Sequence, residues 1–384
     1  MNYSIQVTLN DNSHSLSAFE TIQYVNNSPD TLRYLYFHVW PNAYSNNKTA
    51  LARQLFNLHG KQKLFEDLKL KGYIDSLDFR IEGQKVQWNL LPGFPDICRI
   101  NLNIVLNPGE AITISTPFHV KLPESETSRF GHIGQSYQVS QWYPKPAVYD
   151  ISGWHAMPYL DQGEFYSEFG NFEVSITLPD NYTVGATGDL QNSREWERLE
   201  NLAVDSSWLK EFYFGVPKFP ASSQQFKTLK YTGSQIHDFA WFADKRFHVR
   251  KDSVILPASD RKITTWILFT DVQASLWLKA MPYVKDAITK FSIWIGDYPY
   301  NSFTAVQSSL TAGAGMEYPG LTVIGLADDA YDLDAVLAHE IGHNWFYGAL
   351  GFNERRYPYL DEGLTTAYET RYMTAKYPDK KLWE

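Results

Sequence analysis

The chain has 384 residues, 44% of them hydrophobic, with a formal charge of −9 and one cysteine. That length suits more than one domain, each burying a core of its own, while the acidic balance excludes a nucleic-acid surface, which needs a concentrated basic face. A single thiol, Cys98, excludes an intrachain disulfide and any multi-thiolate metal site, so a bound metal must take nitrogen and oxygen ligands.

No apolar run reaches the length of a membrane span, and the N-terminal "MNYSIQVTLND" reads as a strand, not as a charged segment followed by an apolar one. A secreted or periplasmic protein relieved of its leader would read the same way, so compartment and oligomeric state stay open. From residue 3 to about 250 the dominant pattern is alternation bounded by turn residues. "YSIQVTLNDNSHSLSAFETIQYVNNSPD" reads as a hairpin with Ile5, Val7 and Leu9 on one face. "CRINLNIVLNPGEAITISTPFHVKL" reads as a second hairpin around "NPGE", and "FEVSITLPDNYTVGATG" as a third around "PDN". The densest basic run, Lys61, Lys63, Lys69 and Lys71, is broken by Glu66 and Asp67 and reads as a solvated face. Many short strands at this spacing predict an antiparallel β-sandwich or saddle over residues 1–254.

After about residue 255 the period changes. "TTWILFT" is a buried-strand candidate, and "DVQASLWLKAMPYVKDAITKFSIWIG" has helical spacing, with Asp271 placed to cap it and Gly296 past its end; Pro282 either starts a second helix or kinks one. "FTAVQSS", "LTVIG", a helix through "VLAHEIGHNWFYG" and a second helix over "DEGLTTAYETRYMTAKY" complete an α+β module over residues 255–384. The fold class expected is therefore α+β and multidomain.

On a helix, residues four apart share a face, so His339 and His343 can present imidazoles to one ion. A catalytic zinc site takes three protein ligands and keeps one position open. Glu362, with eighteen residues between it and His343 that include the loop "GALGFNERRYPY", is the candidate third ligand. Glu340 points off the ligand face, which suits a general base acting on a water whose pKa zinc lowers to about 7. Glu369 returns to the face of Glu362 and could hold a ligand histidine by its second N–H. In "TAGAGMEYPG", Gly313 and Gly315 would let a second backbone approach, making an edge strand that a peptide could extend. Glu317 would then pair with a free ammonium group; the same stretch also reads as a glycine-rich turn with a solvated glutamate. His59, His132, His155, His237 and His248 lack ligand spacing and read as structural.

"GMEYPG", "HEIGHNW" and "DEG" in this order resemble the aminopeptidase N family, gluzincin metallopeptidases that include leukotriene hydrolase. The resemblance implies one zinc ion on His339, His343 and Glu362, Glu340 as base, and Glu317, with Gly315 and Met316, at the substrate's amino terminus. It also implies an N-terminal saddle ahead of a thermolysin-like catalytic domain, and a groove lined from "GQSYQVSQWYPKPAVYD", where Gln135 is the candidate and Gln141 the alternative. Two positions depart from the family: Tyr318 replaces its usual asparagine, and its oxyanion tyrosine lies several dozen residues beyond the third ligand, whereas this sequence runs 22 residues past Glu362. The expectation is a zinc aminopeptidase, C-terminally truncated, whose partners are peptides with a free amino terminus. The alternatives are a zinc endopeptidase and a zinc- and peptide-binding module without turnover.

Overall fold

The computed structural model describes residues 1–61, 63–124, 129–207, 218–308 and 315–380. The first hairpin forms as its alternation dictates: strand Asn2–Asn10 pairs antiparallel with Ser15–Val25, and Tyr3, Ile5, Val7 and Leu9 turn inward. On its other edge Asn2–Asn10 pairs in parallel with Gly170–Pro179, inside a nine-stranded sheet.

The other two expected hairpins do not form. At "NPGE" the chain reverses, with Gly109 at a φ of 79°, but Phe94–Leu106 pairs with Leu32–His38 in a four-stranded sheet, while Ala111–Lys121 joins Ser15–Val25 in the nine-stranded one. At "PDN", Gly170–Pro179 stays in the large sheet and Thr183–Ala186 pairs with Trp241–Asp244 in another. Turn chemistry fixes a reversal but not the partner. Each of these strands has one apolar face, and crossing between layers lets both faces enter one shared core.

The sheet that carries the candidate site has five strands, in the order His248–Ile255, Lys262–Phe269, Ser302–Gln307, Leu321–Ile324, Gly315–Tyr318. The boundary expected at residue 254 falls inside its first strand. Both faces are buried. Ile263, Ile267, Phe269, Phe303, Ala305 and Ile324 pack with the helices; Trp266, Leu268, Val306, Met316, Tyr318, Leu321 and Val323 face the first core. Period-two alternation serves two apolar layers here, which is why these strands read as continuous apolar runs. Gly315–Tyr318 is an edge strand, as expected, whereas Gly313 lies outside the described residues.

Helices Ala280–Trp294, Ala330–His343 and Glu362–Lys376 cover the other face. Pro282 sits in the first turn of its helix, where a missing N–H costs nothing. Asp271 does not cap: its carboxylate pairs with His248 Nε2 at 2.7 Å, and Gln273 precedes the short helix Ala274–Trp277. The helix of the histidine pair is capped by Asp329, which accepts from the N–H groups of Tyr331 and Asp332 at 2.8 and 2.9 Å. After His343 it continues as a wider π-helical stretch, Asn344–Ala349. Gly342 is in the ordinary helical range, yet a methyl group there would lie 3.0 Å from Thr365 Cγ2; its absence lets the returning helix come close.

Candidate metal centre and substrate cavity

His339 and His343 leave one helix, and Glu362 opens the next. His339 Nε2 lies 3.2 Å and His343 Nε2 3.9 Å from Glu362 Oε2. The three donors lie within 4.8 Å of one another. Each histidine is held from behind: His339 Nδ1 lies 3.0 Å from Glu369 Oε2, and His343 Nδ1 lies 2.6 Å from Asp361 Oδ1. With Nδ1–H donated to a carboxylate, the lone pair remains on Nε2, facing Glu362. His343 Nε2 is buried and has no hydrogen-bond partner. An orphaned buried nitrogen costs free energy unless something takes its lone pair. Two imidazoles and a carboxylate around it fit zinc with one position open.

The electrostatics point the same way. Burial alone would lower the pKa of both histidines; Glu362 and Glu369 at His339, and Asp361 at His343, override it and push both up to about 9. The hydrogen bond with His339 holds the Glu362 carboxyl below its usual range against the effect of burial. The pocket stabilises positive charge at the three donors.

Beside them opens a cavity of about 650 Å³, onto which Gly315, Met316, Glu317, Glu340, His343 and Glu362 face. Glu340 is 5% exposed, and burial raises its pKa against the pull of the two histidines. Its carboxylate lies against the backbone of Gly315, where a methyl group would collide with Oε1. Gly315 is thus a close-approach position, although toward Glu340. Glu317 is 4% exposed, and its Oε1 has no hydrogen-bond partner. Burial, then the charges of Glu164, Asp361, Glu340 and Glu362, hold its pKa well above the usual carboxylate range. Glu354 and Asp361 stand behind it, one oxygen of each within 4.8 Å of Glu317, and both buried.

Gln135 is not on this cavity. Its side chain bonds to Asp11, Ser222 and Lys245. Gln141 is buried against Asp238, and Gln138 lines the wall instead. Of the three only Gln138 lies in the strand Ser136–Val139, and which of them meets the cavity is set by tertiary packing that the local pattern does not encode. Asp361, Arg129, Glu164 and Gln138 were missed altogether, while His59 and Lys61, read as structural and as solvated, line the cavity. The one available signal was the acidic pair "DE" at 361–362, a carboxylate adjacent to a candidate ligand.

No model of a known protein family and no curated protein matches this sequence. Solved structures do match the fold. A mutant two-domain M1 zinc metallopeptidase bound to L-arginine and the M1 zinc metallopeptidase from Deinococcus radiodurans each superpose at TM-score 0.60 and 14% identity, covering 99% of this chain and 71% of theirs. A mutant of the Deinococcus radiodurans protein matches equally. At this identity the likeness is one of fold: a mixed α+β chain built like an M1 zinc metallopeptidase.

Proposed function

We propose that the protein is a zinc-dependent aminopeptidase, binding one zinc ion through His339, His343 and Glu362. The observation that carries this reading is Glu317, a buried carboxylate with an unpartnered oxygen, on the wall of the cavity that also holds Glu340, His343 and Glu362. Burial, then the charges of Glu164, Asp361, Glu340 and Glu362, hold its pKa well above the usual carboxylate range, so a cation beside it would favour the charged form. A peptide's terminal ammonium is such a cation. The M1 variant of like fold is bound to L-arginine, an amino acid with a free ammonium group, which supports the reading.

Bound zinc supplies a Lewis acid that polarises the scissile carbonyl and makes water acidic enough to be deprotonated at neutral pH. The chain does the rest. Glu317 fixes the amino terminus, and the edge of Gly315–Tyr318 that no described strand takes pairs with the peptide backbone, so the first amide is presented in one geometry. Glu340 takes a proton from the attacking water and returns it to the leaving amine. Glu369 and Asp361 keep both Nδ1–H groups occupied, so each Nε2 stays aimed at the donor cluster.

Peptides with free and acetylated amino termini separate this from an endopeptidase, for which Glu317 would be incidental. Hydrolysis of the free form alone, lost in Glu317→Ala, is the expected result; equal cleavage of both forms would replace the reading.

A further inference from the structure

Arg129 also lines the cavity, 187 positions before Met316 in the chain and in contact with it. Its side chain is 13% exposed and clamped: Nη1 donates to Glu164 Oε2 at 2.7 Å, and Nη2 donates to Glu164 Oε1 at 3.3 Å and to the Asp161 carbonyl at 2.6 Å. The remaining Nη1 hydrogen is directed at Met316 Sδ, 2.8 Å away. A thioether is a poor acceptor, so this N–H of a buried cation is underused. Methionine is also the side chain best able to move aside.

The position matters as much as the valence. Met316 lies between Gly315 and Glu317 on the edge strand, and all three face the cavity. Carboxylates dominate that cavity through Asp161, Glu164, Glu317, Glu340 and Glu362. The permanently charged guanidinium is clamped into that wall by Glu164 and Asp161.

Resting on the aminopeptidase reading, we propose that Arg129 donates a hydrogen bond to an anionic oxygen of the bound substrate, taking the N–H now directed at Met316. Two oxygens have this chemistry: the carbonyl oxygen as the tetrahedral intermediate forms, and the terminal carboxylate of a short peptide. Both become acceptors far stronger than sulfur. A donor held in place by Glu164 and Asp161 needs no reorganisation to meet either one.

The test compares Arg129→Met and Arg129→Lys with the native chain on an aminoacyl anilide, which lacks a carboxylate, and on a dipeptide, with melting temperature and zinc content measured alongside. Service to the oxyanion lowers kcat by about 10²- to 10³-fold on both substrates, with KM nearly constant. Service to the carboxylate raises KM for the dipeptide alone. An equilibrium readout stands apart from turnover: a phosphinic dipeptide analogue, whose phosphorus oxygens are anionic, should bind Arg129→Met at least about 50-fold more weakly, while leucinamide binding changes less than about twofold. Added guanidine should restore part of the loss in Arg129→Ala. A folded, zinc-loaded Arg129→Met with native kcat, KM and phosphinate affinity overturns the proposal, as does a native chain that binds no phosphinate. A native chain that binds phosphinate but cleaves nothing overturns the aminopeptidase reading instead.

Discussion

Buried and half-buried histidines occur in two regions of this protein, and their surroundings push them in opposite directions. In the first, His38, His132 and His237 are at most 5% exposed, and burial pushes their pKa values down to about 3, 4 and 4. His38 stacks on Trp40 and accepts from the Met157 N–H; His132 stacks on His14; His237 meets the ring of Tyr347. Among the described residues none of the three hydrogen-bonds to a carboxylate. In the second region, His339 and His343 are ringed by Glu340, Asp361, Glu362 and Glu369 and are pushed up to about 9. His343 is as buried as these three, and His339 is half-buried. In the first group positive neighbours add to the effect of burial, Lys145 and Arg355 at His38, His14 and Lys121 at His132, and Lys145 at His237, whereas in the second hydrogen-bonded carboxylates override it.

The contrast breaks most completely if the second group is not a set of ligands. His343→Ala should lower zinc affinity by at least about 10³-fold, leaving near-zero metal at micromolar zinc and no hydrolysis. Full retention of zinc, measured by atomic absorption, would remove His343 from the ligand set. Replacing any of the first three histidines should leave zinc content unchanged.

In the proposed assignment Glu340 is the base and not a donor to the metal. Glu340→Gln should therefore keep one zinc per chain and lose about 10²- to 10⁴-fold in kcat. Loss of metal along with rate would make Glu340 a ligand and reassign the base.

The ring is not uniform. Asp361 is fully buried and 2.6 Å from its histidine, whereas Glu369 is 25% exposed and 3.0 Å away. Zinc affinity should fall about 10²-fold in Asp361→Ala and about 10-fold in Glu369→Ala, read by chelator competition. Equal losses would mean that burial adds nothing to the hold on Nδ1.

The smallest effect per residue concerns the first group. A histidine depressed in the folded state contributes stability that is present above its unfolded pKa of about 6.5 and is lost as pH falls through the folded value. Stability should decline from about pH 6.5 toward pH 4, each histidine adding about 1.4 kcal/mol per pH unit within that window. Asp96 opposes this, since burial pushes its carboxyl up to about 6 and the folded state takes its proton first between about pH 6 and 4. His132→Gln should flatten the slope by one proton in denaturant titrations; an unchanged slope would mean that His132 is already charged in the folded protein.

The candidate donor cluster was legible because helical periodicity is local: His339 and His343 share a face by spacing, and Glu369 lies two turns beyond Glu362. Asp361 was not, because neighbours on a helix diverge, and it reaches His343 only from the helix start, with φ at −97° and ψ at −76°. Arg129 and Gln138 approach from other layers, across more than 160 residues, and no local pattern encodes that distance. The fold divides the same way. Strands could be read from alternation, but their partners could not, as the sheet-crossing turns at "NPGE" and "PDN" show.

The five-stranded sheet with two buried faces has a practical consequence. Expressing the part from residue 255 alone would strip His248–Ile255 from its neighbour, leaving backbone groups unpaired, and would expose Trp266, Leu268, Val306, Leu321 and Val323 as one apolar slab. An open strand edge beside such a slab is the recipe for self-association, so the shortened protein should accumulate in inclusion bodies, and libraries for improving solubility or activity should be built on the uncut chain.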